Sequence, residues 1–396
     1  MIILDHIKKQ SAAQVINAAL DYCQKEGHSI AIWSRPESSD IEMMVDFSSD
    51  IQPITNPLEQ NIEGFLLSPF QKEQSAYFIK ADLHIKWDDF SIRKTSGLEV
   101  SNKTDEFLKH LSNYEENTPE TTTQKIKVVS SDSEKQKFIN LVSTSVKEIQ
   151  AGSFQKVVPS RTKEIELPEA FNLGENFLKL AAAYCSAFTS LVFTSKTGIW
   201  MGATPELLIS EKDNTFKTVA LAGTQKYNPE IPLAHVAWKQ KEIEEQALVG
   251  RYIINCFKKI RLRDYTEIGP KTVIAGNLLH LKTEYQVDMD ATGFPGLGDT
   301  MLKLLHPTSA ICGMPLEPAE KFLSKNEHYN RSYYSGYLGP VNAENGTSLF
   351  VNLRCMHIDA NKATLYAGAG VTEDSIPELE WEETEIKMNT ILNIIS

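Results

Sequence analysis

Four glutamates in two pairs carry the clearest chemical pattern in this chain. Glu242 and Glu245 stand three residues apart, as do Glu380 and Glu383, with Lys387 one turn further on. On a helix such residues share a face. Two pairs on separate helices can cap a hard divalent cation such as Mg²⁺, and an ammonium beside them can hold an anionic ligand. Each pair alone reads equally as a solvated helix face with ordinary ion pairs. Three other charged residues keep apolar company. Lys156 adjoins two valines in FQKVVPSR. Buried, it loses its charge readily and can act as a base; at a strand edge it is merely solvated. Glu206 precedes Leu207, Leu208 and Ile209, where a carboxylic acid can keep its proton to near neutrality, or simply end a strand in a salt bridge. Arg354, within LFVNLRCMHI, needs a partner, and a bidentate carboxylate is the natural one. His280 and His306 can contact a ligand or serve as satisfied core or turn histidines, while His6, His28, His84 and His110 read as surface or packing residues.

Local patterns say which elements must position these groups. Residues 365–370, LYAGAG, alternate apolar residues with Gly368 and Gly370, a strand running into a tight turn. Asp374 and Ser375 can cap the helix that carries Glu380 and Glu383, and Pro377 suits its first turn. A long helix is expected over 233–258, carrying Glu242 and Glu245. Another is expected after Ser131, which has capping-box spacing to Glu134, and Gly152 is placed to stop it. Strands are expected at 190–195 and 199–201, leading into GATPELL, and at 218–224, ending where Gly223 lets backbone approach a ligand. Further strand-like runs cover 154–161, 273–281, 333–338 and 347–358, the last two separated by a turn at 342–346. The N-terminal hundred residues offer a helix at 12–24 and strands at 29–33, 64–67 and 76–79, with no catalytic signature. Residues 113–124, NYEENTPETTTQ, read as a linker.

Composition narrows the function. The chain has 396 residues, a net charge of −12, 41% hydrophobic and 23% charged residues, ordinary for a globular protein. That charge disfavours nucleic-acid or anionic-membrane partners. The five cysteines are odd in number and widely spaced without CxxC, which points to buried thiols in a reducing compartment. No signal peptide is expected from MIILDHIKK. The uncharged run 180–195 falls short of the roughly 20 residues a spanning helix needs. A cytoplasmic protein is expected.

Eight segments in order, AGSFQKVVPSR, GATPELL, ALAGT, KEIEEQALV, HPTSAICG, YYSGYLG, LFVNLRC and LYAGAGVTEDSIPELEWEET, give residues 127–394 the pattern of a known family. The chain resembles the chorismate-utilising enzymes and, within them, the isochorismate synthases. That resemblance implies a large α+β unit with two β-sheets stacked between helical layers and the site between them. Residues 1–112 would pack onto that unit, 113–126 would be a linker, and 127–396 the catalytic domain. It implies Mg²⁺ at Glu245 and Glu383, with Glu242 and Glu380 alongside, holding the ring carboxylate of chorismate. Arg354 and Lys387 would hold the enolpyruvyl carboxylate, supported by backbone near Gly223 and Gly370. Thr224, His280, Ala310, Ile311 and Tyr334 would complete the substrate-facing set. Lys156 matches the base that activates water for attack at C2, and Glu206 the acid that protonates the departing C4 hydroxyl.

Comparison within the family sharpens this expectation. Anthranilate synthases carry glutamine at the position of Lys156, and aminodeoxychorismate synthases a nucleophilic lysine at that of Ala222, so amination is disfavoured. Salicylate synthases share the lysine base but usually carry threonine where this chain has Ala310. The resemblance thus implies a reaction that stops at isochorismate, in a monomer without an amidotransferase subunit. Two departures stand out: Pro159 replaces an aliphatic residue, and KEIEEQ stands where many members have KDRxEH. The second touches Glu242 and leaves Glu245 aligned. Rival readings are a salicylate synthase, a non-catalytic chorismate-binding protein and an unrelated carboxylate–metal hydrolase. The route that consumes isochorismate stays open among menaquinone, a catechol siderophore and salicylate.

Overall fold

The computed structural model describes residues 7, 9–55, 58, 62–87, 91–94, 98–114, 126–129, 132–275, 278–294, 296–344 and 346–395. Two antiparallel sheets organise them. The first runs Ser91–Lys94, Leu83–Lys86, Ile41–Asp46, Ser29–Ser34, Phe188–Thr194, Gly198–Thr204, Cys355–Asp359, Lys362–Gly368, Ser160–Glu166 and Lys127–Val129. The second runs Thr266–Ala275, Leu278–Asp288, Thr215–Lys226, Leu207–Lys212, Thr347–Val351, Tyr337–Val341, Gly64–Ser68, Ala76–Lys80 and Pro53–Ile54. A short pair, Lys156–Val157 with Gly313–Met314, stands apart.

Central strands are apolar on both faces because both faces are covered. In Ser29–Ser34, Ala31 and Trp33 meet Phe65, Leu67 and Phe350 of the other sheet, while Ile30 and Ile32 face Val15, Ile16 and Leu20 of the helix Ala12–Glu26. Period-two alternation therefore sorts side chains between two cores instead of between core and water. Phe188 of the first sheet stacks on Phe350 of the second, centroids 4.2 Å apart and planes 6° from parallel. Each such buried aromatic contributes about 1.5–3 kcal/mol relative to exposure. Behind the second sheet, Phe216 and Val287 pack against Val249, Ile253 and Phe257 of the helix Gln240–Lys259. The fold is α+β, two stacked sheets flanked by helices.

N-terminal strands are woven into both sheets. Ser29–Ser34 pairs with Phe188–Thr194, and Gly64–Ser68 with Tyr337–Val341. Most of the expected linker, residues 115–125, lies outside the described residues, as do Ser131 and His6. Gly152, at φ +81°, comes just after the helix Asp132–Gln150. None of the cysteines is in a disulfide; four are buried, but Cys185 is exposed, contrary to the expectation. Among the described residues no helix is long and apolar enough to cross a membrane.

Four expected elements are revised. Residues 233–235 form only a 3₁₀ turn, and the helix starts at Gln240. Trp238 Nε1 donates to Thr272 Oγ1 and Gln225 Nε2 to the Ala237 carbonyl, which hold the intervening chain extended against the sheet. The run 273–281 is split between two strands, with His280 in Leu278–Asp288. Residues 333–336 are turns ahead of the strand Tyr337–Val341. The run 347–358 is not one strand: Thr347–Val351 belongs to the second sheet and Cys355–Asp359 to the first. The chain crosses between sheets at residues 352–354.

Candidate active site

A second crossing lies beside that one. The strand Gly198–Thr204 belongs to the first sheet and Leu207–Lys212 to the second, so Pro205 and Glu206 bridge them. The crossings are stitched together where Ala203 N–H donates to the Arg354 carbonyl at 3.1 Å and Val351 N–H to the Glu206 carbonyl at 2.9 Å. Glu206 and Arg354 are thereby held at the seam between the sheets. Arg354 sits at φ +47°, a left-handed conformation that costs a non-glycine residue on the order of 1 kcal/mol.

Arg354 has a different partner from the carboxylate expected of it. Its Nη2 lies 2.7 Å from His280 Nε2. A guanidinium only donates, so His280 Nε2 must be bare. The ring's Nδ1–H then donates to the Gly223 carbonyl at 2.8 Å. Burial, reinforced by Arg354, pushes His280 down to about 3, and burial lowers Arg354 to about 10. A buried cation facing a neutral imidazole is ready for an anionic ligand. Glu206 is 7% exposed, and burial raises its carboxyl to about 7 against the pull of Lys156, Lys387 and Arg354. It keeps its proton to neutrality.

The other half of the site stands on two helices and the short strand pair. Lys156 is 0% exposed, which removes the edge-strand alternative. Its Nζ donates to Glu245 Oε1 at 3.0 Å. Gly370 makes room for that contact, since a Cβ there would fall 2.4 Å from Glu245 Oε1 and 3.3 Å from Lys156 Cε. Burial opposes the Glu245 charge, but Lys156 holds its carboxyl below the usual range. On the helix Pro377–Ile395, Lys387 pairs with Glu383 at 2.7 Å and donates to the Gly368 carbonyl at 2.9 Å. Although burial disfavours its charge, Glu383 and Glu245 keep Lys387 above the ordinary lysine value. Glu380 is 1% exposed and takes Lys241 at 2.5 Å. Burial, then Glu383, raises its carboxyl.

Of the residues singled out in the sequence, Glu206, Gly223, Thr224, Glu245, His280, Ala310, Ile311, Tyr334, Arg354, Gly370 and Lys387 line one pocket. Lys156 reaches it through Glu245, and Glu383 through Lys387. Glu380 is joined to Lys241, and Glu242 lies against Gly223, where a Cβ would come 3.1 Å from its own. His306 is elsewhere, its Nε2 facing the Pro69 and Phe70 carbonyls, which is the turn-histidine alternative.

Residues 69–396 match the sequence pattern of the chorismate binding enzymes. The chain belongs to this family. Among chorismate binding enzymes it is 29% identical to the vibriobactin-specific isochorismate synthase of Vibrio cholerae, over 68% of this chain and 69% of that one. It is 26% identical to isochorismate synthase EntC of Escherichia coli, over 83% and 86%. Its fold is similar to that of MenF, the menaquinone-specific isochorismate synthase from Escherichia coli, with a TM-score of 0.77 at 19% identity, over 98% of this chain and 92% of that one. Anthranilate synthase component I from Streptococcus pneumoniae gives 0.69 at 18%, over 92% and 90%.

The four glutamates can be tested as ligands of a divalent cation. Their donors are all carboxylate oxygens, the kind hard cations take. Among the described residues, one buried oxygen on Glu242 and one on Glu380 have no hydrogen-bond partner. The donor chemistry fits Mg²⁺, although among the described residues no three acidic, His or Cys side chains converge into a cage. Lysines stand among them.

Two contributors carried little signal in the sequence. Lys241 was hidden beside Glu242, although a cation one turn before Glu245 was visible. Arg331 is 3% exposed and grips Glu327 through Nε–Oε2 at 2.7 Å and Nη2–Oε1 at 2.5 Å. It also donates to the Ile311 and Val158 carbonyls at 2.8 and 2.7 Å. The chain just after Lys156 and the Ala310–Ile311 wall are thereby fixed to each other. Its signal was an acid–base pair four residues apart in NEHYNRSYY.

Proposed function

We propose that this chorismate binding enzyme is an Mg²⁺-dependent isochorismate synthase, interconverting chorismate and isochorismate. The observation that carries the reading is a wholly buried lysine and a carboxyl raised to about 7 serving one pocket. Arg354 and Lys387 hold the enolpyruvyl carboxylate, with the backbone of Gly223 and Gly370 close by. Thr224, His280, Ala310, Ile311 and Tyr334 shape the cavity around the ring. Mg²⁺ held by Glu245 and Glu383, with Glu242 and Glu380 alongside, would neutralise and orient the ring carboxylate.

Lys156 takes a proton from the water that attacks C2. Glu206 gives its proton to the C4 hydroxyl, which departs as water while the double bonds shift. One water enters and one leaves, so the product is an isomer. An acid whose carboxyl titrates near neutrality suits this task. Lysine at 156 and alanine at 222 and 310 support water as nucleophile and a reaction that stops before pyruvate is lost. We place the enzyme in the cytoplasm as a monomer without an amidotransferase subunit, its product serving menaquinone or siderophore synthesis.

Purified protein with chorismate and Mg²⁺, without ammonia, tests the reading by product chromatography with pyruvate followed in parallel. An isomer of unchanged mass, without pyruvate and abolished by chelator, is expected. Salicylate with pyruvate would move the enzyme to the salicylate synthases, and no product would leave a binding role.

A further inference from the structure

We infer that Lys241 is an internal competitor of the divalent cation, so that metal binding is an exchange in which this ammonium leaves the carboxylates that the metal takes. The inference rests on the proposed metal role of Glu245 and Glu383 and concerns how that site is charged.

Three of the four glutamates are each matched to one lysine. Lys156 holds Glu245 at 3.0 Å, Lys241 holds Glu380 at 2.5 Å, and Lys387 holds Glu383 at 2.7 Å. Glu242 adds a fourth carboxylate, with a buried oxygen that has no hydrogen-bond partner among the described residues. Four carboxylates share three lysines here, so a divalent cation and Lys241 would compete for the same carboxylate oxygens.

Lys241 is the one able to withdraw. Lys156 is fully enclosed, and Lys387 is fastened by its bond to the Gly368 carbonyl. The Lys241 side chain keeps 30% exposure and can swing its flexible stem to solvent. Nor does helix stability explain its inward place. It lies in the first turn of Gln240–Lys259, where the helix dipole disfavours a cation. Glu380, Glu383 and Glu245 hold it there, and their attraction outweighs burial in keeping its charge.

Titration calorimetry with MgCl₂ and no chorismate tests this on the wild type, Lys241→Met, Lys239→Met and Glu383→Gln, with folding checked by circular dichroism. Lys239 is an exposed lysine two residues away and reports the effect of net charge alone. Lys241→Met is expected to bind Mg²⁺ roughly tenfold more tightly or better, whereas Lys239→Met changes affinity less than about twofold. Melting with and without Mg²⁺ gives a second readout: Lys241→Met melts lower in chelator and gains more from the metal than wild type does. If wild type binds Mg²⁺, Glu383→Gln does not, and Lys241→Met binds no more tightly than wild type, the competitor role falls while the metal site stands. If wild type binds no Mg²⁺, the metal reading falls too.

Discussion

The two halves of the pocket bury charge in opposite ways. At the crossings between the sheets, Glu206, Arg354 and His280 are enclosed without an ion-pair partner among the described residues, and their pKa values move to about 7, 10 and 3. On the two helices, Glu245, Glu380 and Glu383 are each met by a lysine. Desolvation without a partner retunes a group for proton transfer, whereas pairing keeps charge available for ligand exchange. The crossings read as the half that tunes the proposed acid, and the paired half keeps charge for a ligand, with Lys156, the proposed base, held in it by Glu245.

Removing the proposed acid or base should break this contrast most visibly. Lys156→Ala and Glu206→Gln are each expected to lower isomerase turnover by roughly 10²–10⁴-fold with the fold retained. Turnover with confirmed metal occupancy, beside far-UV circular dichroism, decides it; full activity in either variant would remove that assignment.

A pH series sharpens the tuned half. Glu206 titrates at about 7 when folded against an ordinary 4.5, so between these values the folded state binds the extra proton. Its contribution is intact below about pH 4.5 and is lost as pH rises towards 7, a fall on the order of 3 kcal/mol. Denaturant unfolding across that range should show this slope in wild type and not in Glu206→Gln. In parallel, wild-type kcat/KM should decline above about pH 7 as the acid loses its proton. An identical slope in the variant would assign it to other groups.

The smallest effect concerns the crossing itself. Arg354→Gly and Arg354→Ala both remove the guanidinium, yet glycine accepts φ +47° freely. The glycine variant should be more stable by on the order of 1 kcal/mol, although both lose substrate affinity. Equal stability in chemical denaturation would mean that the crossing is unstrained.

Much of the fold was legible because its signals are local. Strands 29–33 and 64–67 show themselves by β-branched and aromatic residues, and the last helix by Pro377 after a glycine turn. Lys156 and Glu206 stood out because charge among valines and leucines demands a reason. The crossing at 352–354 was hard to read: apolar runs flank it on both sides, arginine is no turn signal, and Asn352 alone marks a turn only weakly. Nor could neighbours distinguish a solvated Glu242–Glu245 face from one turned towards the Pro377–Ile395 helix.

Residue types, spacings and periodicities were settled by the sequence itself, since they depend on contacts within a few residues: two carboxylate pairs on helices, a lysine and a glutamate in strand-like runs, a glycine-rich turn. Only the tertiary structure decided which charges meet and which stay alone. Lys156 finds Glu245 across 89 residues, and Arg354 finds neutral His280 across 74. Pairing and desolvation depend on what lies within a few ångströms in space, and here the stacking of two sheets sets that.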